Sequence, residues 1–464
     1  MRITFALMIA NRGFFPGEVI ALAREEIKKV LEEEGYGCIC MEEDRTRFGA
    51  VETREEGRRY AEFLKEHEGE YQGILLSMPN FGDENGALEA LKEVNVPILI
   101  QAYPDEMDKM DFTHRRDAMC GKFAMCNVLR QAKIPFSLTS EFVEKPSEEV
   151  FRKDLEKFAS TCRICAGMKH FNIGAIGART TAFKTVRVDE TALQRAGINV
   201  ETIDLSEVFA RMQAMPEERI LKAKEKVLAV TDFGNWPEEK LLKIAALQEV
   251  LEDLAKEYAL DAMAIRCWPE LQTNIGIAPC TNVGILNEMG IATACELDIP
   301  NAVMMRAQAL AGDRPGTLLD FNNNYGPSKD KAILFHCGPM PISMMKEKGT
   351  TIEHLMFRKT FGEGTGVGVN KGEMIDGPIT IGSLKTENGR LEAFVTEAVF
   401  LPDSPGEGFF GSGKVAQKEG IYEICKFMAE NGYKHHVCVI PGNWKDSIAE
   451  AFEKYLGMEL KVFS

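Results

Sequence analysis

The chain has 464 residues, 45% hydrophobic and 27% charged, with 40 glycines and 19 prolines. This is an ordinary globular composition that excludes a disordered, collagen-like or short-repeat protein, and at roughly 100–200 residues per domain it implies two to four domains. Lys and Arg number 55 against 71 Asp and Glu, a formal net charge of −16, which argues against nucleic acid as a partner.

Residues 2–10 form a short apolar run that ends in Asn11-Arg12-Gly13. It reads as a buried strand rather than an export signal, because it lacks a charged start and a small-residue cleavage site. A helical period over 17–34 follows and stops at Gly35. Apolar runs at 36–41, 73–78 and 96–101 alternate with further helical stretches, the pattern of a parallel sheet covered on both faces. A first α/β domain over 1–167 is expected. The alternation resumes at 170–177 and continues through 198–205, a helix at 237–258, and strands at 261–267, 292–297 and 318–322. This predicts a second α/β domain over 168–330. Beyond it the chain is rich in Gly, Thr and Val, with strand-like runs broken by turn residues, so 331–464 reads as a β-rich, barrel-like third domain. The expected fold class is thus α/β, two Rossmann-like (flavodoxin-like) domains followed by a β-rich one.

No run approaches the about 20 apolar residues that span a bilayer, and no membrane role is expected. The 12 cysteines read as reduced, mostly buried thiols of a cytoplasmic protein. Cys162 and Cys165 have redox spacing but fall in a helical pattern, so they read as structural, and Cys337 reads as a small buried residue. Gly174 and Gly177 give only a GxxG, without the third glycine of a dinucleotide site.

In α/β proteins, functional side chains gather at the carboxyl ends of strands. Glu296 follows the run at 292–295, Asp320 follows Leu318-Leu319, His336 ends the run at 332–335, and His435-His436 precedes 437–440. Two carboxylates with one or two imidazoles form a hard-to-borderline donor set that suits Mn²⁺, Mg²⁺ or Co²⁺ in an open site. Loops after strands offer further candidates for binding a hydroxyl-rich ligand: Arg12 and Phe14 after the first strand, Asn80 after the third, and Trp268 and Gln272 after 261–267.

The order Arg266-Cys267-Trp268-Pro269-Glu270-Leu271, Ala294-Cys295-Glu296, Asp320, His336-Cys337-Gly338 and a late His-His pair resembles the L-fucose isomerase and L-arabinose isomerase superfamily. Glu296 and Asp320 are 24 positions apart and His336 follows 16 later, as in that family. The resemblance implies a Mn²⁺-dependent aldose–ketose isomerase working through an enediol. Glu296 and Asp320 would be its ligands and acid–base pair, and His336 and His436 further ligands. His436 is preferred to His435 for its offset to Gly442. On a strand, adjacent side chains point to opposite faces, so only one of the two is expected at the metal. The resemblance also implies a homo-oligomer, a hexamer, with the active site at a subunit interface. Short members of the superfamily include sulfoquinovose isomerases, which makes a sulfonated sugar the alternative substrate. Metal-dependent enediolate chemistry of another class and a non-catalytic sugar binder are the remaining alternatives.

Overall fold

The computed structural model describes residues 2–406 and 408–464. Residues up to Ala166 together with Glu450–Gly457 form one compact unit, and Gly167–Ala449 with Met458–Ser464 form a second.

The first unit alternates β1 (Thr4–Ile9), α1 (Val19–Glu33), β2 (Gly37–Cys40), α2 (Arg54–Glu66), β3 (Gly73–Met78), α3 (Glu84–Leu91), β4 (Ile98–Ala102), α4 (Ala118–Gln131) and β5 (Ser137–Leu138), and continues into α5 (Glu149–Met168). The strands are parallel in the order β2-β1-β3-β4-β5, the flavodoxin-like arrangement. β1 shows why an unbroken apolar run is needed. Ala6 and Met8 enter the core on one face, Phe5, Leu7 and Ile9 the core on the other, as expected where helices cover both faces.

The second unit begins with β6 (Phe171–Ile176), α6 (Glu190–Arg195), β7 (Ile198–Ile203), α7 (Leu205–Ala214), α8 (Glu217–Val230), β8 (Thr231–Asp232), α9 (Glu238–Glu257), β9 (Leu260–Ile265), α10 (Cys280–Glu288), β10 (Ala292–Ala294) and α11 (Ile299–Gly312). A four-stranded parallel sheet runs β10-β9-β6-β7. Then come β11 (Thr317–Asn324), β12 (Lys331–His336), β13 (Gly349–Glu353), α12 (Leu355–Phe361), β14 (Val367–Lys371), β15 (Gly377–Glu387), β16 (Arg390–Phe400), β17 (Ser412–Gln417), α13 (Ile421–Glu430), β18 (His436–Pro441), α14 (Lys445–Glu450) and β19 (Glu459–Val462). Seven of these strands form a sheet in the order β15-β18-β11-β12-β17-β16-β19, and β15 pairs with β16 as well, so the pairings run in a closed circuit.

β11 departs from the sequence reading, which groups 318–322 with the second α/β domain. It lies antiparallel between β12 and β18 in the seven-stranded sheet. Its short apolar run, Leu318-Leu319, carries no information about which neighbours it pairs with. The consequence is functional, because the register sets Asp320 opposite His436.

Candidate active site

Glu296 sits two residues past the end of β10. It and Leu297 both adopt left-handed backbone, φ 60° and 59°, which costs non-glycine residues roughly 1–3 kcal/mol each. The Leu297 amide donates to the Ile265 carbonyl at 3.0 Å, which pins this strained turn to the end of β9. From the same end of β9, the Trp268 indole N–H donates to Glu296 Oε1 at 3.0 Å. Glu296 Oε2 lies 2.8 Å from His436 Nε2. Burial would raise the Glu296 carboxyl, but His436, His336 and Trp268 together hold it below the ordinary carboxylate range.

His436 is fully buried at the start of β18. Its Nδ1 donates to Asp298 Oδ2 at 2.7 Å. Asp298 caps α11, accepting from the Asn301 amide, and also accepts from the Asn301 side chain at 2.9 Å and from Lys434 Nζ at 3.0 Å. Asp320 Oδ1 is 3.5 Å from His436 Nε2 and 3.7 Å from His435 Nε2, yet it is buried without a hydrogen-bond partner. The His336 ring, at the end of β12, stands 6.2 Å from that of His436, and its Nδ1 accepts from the Cys337 amide at 3.0 Å. Burial opposes charge on His336, but Cys337, Asp320 and Glu296 outweigh it and raise the ring to about 9.

Two groups of ligand-type atoms result, each within 4.8 Å: Glu296, His336 and His436, and Asp320, His435 and His436. Both histidines of the late pair therefore reach Asp320, contrary to the expected alternation. His435 precedes β18, so the strand rule does not apply to it.

The other sequence candidates divide. Trp268 is at the site. The Gln272 side-chain amide donates to the Cys267 and Ile277 carbonyls, each at 3.0 Å, and ties a loop together, while its Oε1 is buried without a partner. In the first unit Asn80 is fully buried, donating to Asn11 Oδ1 at 2.6 Å and the Pro16 carbonyl and accepting from the Arg12 amide. The Arg12 guanidinium lies 4.3 Å over the Phe81 ring, donates to the Gly82 carbonyl and pairs with Glu84. Phe14 is exposed.

Three contributors were not among the sequence candidates: Asp298, Lys434 and Phe183. The Phe183 ring lies 5.7 Å from both His435 and His436 and 6.2 Å from Trp268, an apolar wall over the imidazoles. The phrase Glu-Leu-Asp at 296–298 was the available signal for Asp298, a second carboxylate two residues beyond a strand-end Glu.

Comparison with known proteins agrees with this architecture. The family model for the fucose/sulfoquinovose isomerase N-terminal domain matches residues 6–169, and that for the L-fucose isomerase C-terminal domain matches residues 334–464. The chain is 23% identical over 396 residues to a protein named sulfoquinovose isomerase from Priestia megaterium, covering 84% of this chain and 85% of that one. It is 24% identical over 396 residues to a protein of the same name from Alkalicoccus urumqiensis, with the same coverage. A Clostridium sp. (strain MSTE9) protein of that name is 24% identical over 333 residues, 68% of this chain and 70% of its own. Fold, site and matches define an enzyme of the aldose–ketose isomerase class. The chain belongs to the fucose isomerase family.

Proposed function

We propose that the protein isomerises a sulfonated aldose, sulfoquinovose, to the ketose sulfofructose, with a divalent cation of the Mn²⁺, Mg²⁺ or Co²⁺ type. One observation carries the reading. Glu296, His336 and His436 converge, and Asp320 and His435 converge on the same His436, in a chain whose relatives over most of its length are named for that sugar.

The residues fit a cation. Asp320 Oδ1 is buried without a partner, an arrangement that costs about 1–3 kcal/mol unless something closes on the oxygen. The gathered donors are carboxylate oxygens and imidazole nitrogens with no thiolate among them, the set hard-to-borderline ions prefer. Glu296, Asp320, His336 and His436 would hold the ion, which when bound supplies Lewis-acid polarisation of the substrate's oxygens.

Isomerisation moves a hydrogen between C1 and C2 and needs a base for the carbon-bound proton and an acid for the oxygen. Glu296 and Asp320 would supply this pair. Glu296 has both oxygens bonded and is kept ionised and oriented. Trp268 fixes that orientation, Asp298 fixes the His436 ring, and Phe183 lies against the His436 ring. L-fucose is the second reading, favoured by the C-terminal family match; the same side chains would serve it.

The test strips the protein with chelator, restores Mn²⁺ and incubates it in D₂O with sulfoquinovose, L-fucose, L-arabinose and D-arabinose. Metal-dependent formation of sulfofructose is expected. Turnover of L-fucose without sulfoquinovose would overturn the substrate, and full activity without metal would overturn the cation. Glu296→Gln and Asp320→Asn should each leave a folded protein with activity lowered by orders of magnitude.

A homo-oligomer, hexameric by family resemblance, is part of the proposal. In the first unit Met107, Phe112 and Phe14 are 86%, 81% and 74% exposed, apolar surface that association of copies would cover. Sedimentation of a monomer at micromolar concentration would sink this part.

A further inference from the structure

His354 follows β13 and precedes α12, and its side chain caps no amide of that helix. The backbone is fixed, the amide donating to the Gly366 carbonyl and the carbonyl accepting from the Arg358 amide, each at 2.9 Å. The ring is fixed as well. It stacks on Phe357 with 3.8 Å between centroids and 15° between planes, and the Phe410 ring stands 4.7 Å away. His354 is 3% exposed, and its Nδ1 has no hydrogen-bond partner among the described residues.

A buried polar atom left without a bond in the protein marks a place for one supplied from outside. This place adjoins the site. The charges of His336 and Glu296 both act on the ring. A run of hydrogen bonds joins the two. Gly366, which holds the His354 amide, is followed by Val367, whose carbonyl accepts from the Ala278 amide at 2.8 Å. The Ile277 carbonyl before it accepts from the Gln272 side chain, whose other bond goes to Cys267, beside Trp268. α12 itself packs against the 271–275 turn, where Gln272 Oε1 is a second buried polar atom without a partner.

We propose that His354 binds the sugar: its Nδ1 shares a hydrogen bond with the hydroxyl on C3 or C4 while C1 and C2 lie at the carboxylates.

The chemistry of the ring selects a hydroxyl. Burial and the charge of His336 outweigh Glu296 and push the ring down to about 4. At neutral pH it is therefore a neutral imidazole, whose nitrogen either accepts or donates. A hydroxyl answers both; a sulfonate only accepts and seeks positive charge, which this ring lacks. His354 also stands outside the groups of convergent ligand atoms, so it does not compete for the cation. Of the oxygens of a pyranose, those on C1 and C2 belong to the reaction and the one on C5 closes the ring, which leaves C3 and C4. The proposal rests on aldose isomerisation at this site and holds for either sugar, since sulfoquinovose and L-fucose both carry these hydroxyls.

The test measures binding and turnover of sulfoquinovose and L-fucose by the Mn²⁺-loaded protein, together with the 3-deoxy and 4-deoxy forms of each. His354→Phe keeps the aromatic stack and deletes the nitrogen. Its KM and its calorimetric Kd for the sugar should rise about tenfold, the worth of one hydrogen bond, with a smaller change in kcat and no change in Mn²⁺ affinity. One of the two deoxy forms should bind parent and variant equally, because the bond is already missing. His354→Asn, whose amide reaches where Nδ1 stands, should recover part of the loss, and His354→Leu reads the same deletion should the phenylalanine variant not fold. Unchanged affinity in His354→Phe, an equal loss on the sugar and both deoxy forms, or weakened Mn²⁺ binding would overturn the proposal. A parent that turns over a sugar no better than the variants strikes His354 alone. A metal-loaded parent that neither binds nor turns over any of these sugars strikes the isomerase reading, and this proposal with it.

Discussion

Lys434 Nζ lies 3.0 Å from Asp298 Oδ1 in the protein interior, with side chains 3% and 0% exposed. Such a pair survives burial only if its remaining hydrogen-bonding capacity is used. It is: Lys434 also donates to the Leu384 carbonyl, and Asp298 accepts from Asn301 and His436. Burial would raise the Asp298 carboxyl, but Lys434 and His436 hold it at about 2. A permanent negative charge therefore stands behind His436 Nδ1 and fixes which nitrogen faces Glu296.

Asp298→Asn keeps the shape of the side chain and removes this charge. Activity should fall about 10- to 100-fold. The lysine left buried and unpaired should cost about 3–5 kcal/mol of stability, visible as a lowered thermal midpoint. Adding Lys434→Met should recover the stability and not the activity. A double variant as active as the parent would reduce Asp298 to a partner for Lys434.

Cation uptake should release protons from two histidines. Burial works against charge on His436, but its bonds to Asp298 and Glu296 prevail and raise the ring to about 10. In chelator-stripped protein at neutral pH, Nε2 therefore carries a hydrogen that a cation must displace. His336, raised to about 9, carries a second such hydrogen, so apparent Mn²⁺ affinity should rise with pH by at most about a hundredfold per unit below 9 and about tenfold per unit from there to about 10. Calorimetry in buffers of different ionisation enthalpy measures the protons directly. An affinity independent of pH would remove His436 from the ligand set.

Trp268→Phe preserves an aromatic wall and deletes the N–H that holds Glu296 Oε1. Turnover should drop about tenfold, in line with loss of a supporting hydrogen bond, with a smaller change in KM. Retained kcat with a raised KM would instead make Trp268 a substrate contact.

The sequence exposed the four central residues because each follows or precedes an apolar run, where strand ends place side chains. Asp298 escaped because its other duty, capping α11, is what an Asp before a helix ordinarily does. Lys434 escaped because a lysine in a Gly-Tyr-Lys stretch looks like a solvated turn, and only the folded chain turns it inward. Gln272 is a candidate through its nearness to Trp268; in the fold its amide nitrogen serves two buried carbonyls and its Oε1 has no partner. Register was the deepest gap. That Asp320 faces His436 follows from β11 pairing with β18 across more than a hundred residues, and local periodicity carries no trace of it.

A last prediction concerns the first unit. Glu144 is buried, and neither carboxylate oxygen has a hydrogen-bond partner, while its backbone is fixed by bonds from its amide to Ala102 and from Gln101 to its carbonyl. The side chain cannot leave. Burial, reinforced by Asp154 and opposed by Lys122, raises its carboxyl to about 7. The folded protein thus binds this proton more tightly than the unfolded chain. The contribution to stability is complete below the unfolded value of 4.5 and is lost as pH rises through 7. Glu144→Gln, which removes the ionisation, should raise the thermal midpoint at pH 8, corresponding to about 1–3 kcal/mol. It should leave the midpoint nearly unchanged at pH 4. Melting curves of both proteins at the two pH values decide it: an equal gain at pH 4 and pH 8 would mean that shape or hydrogen bonding, and not charge, is what Glu144 costs the fold.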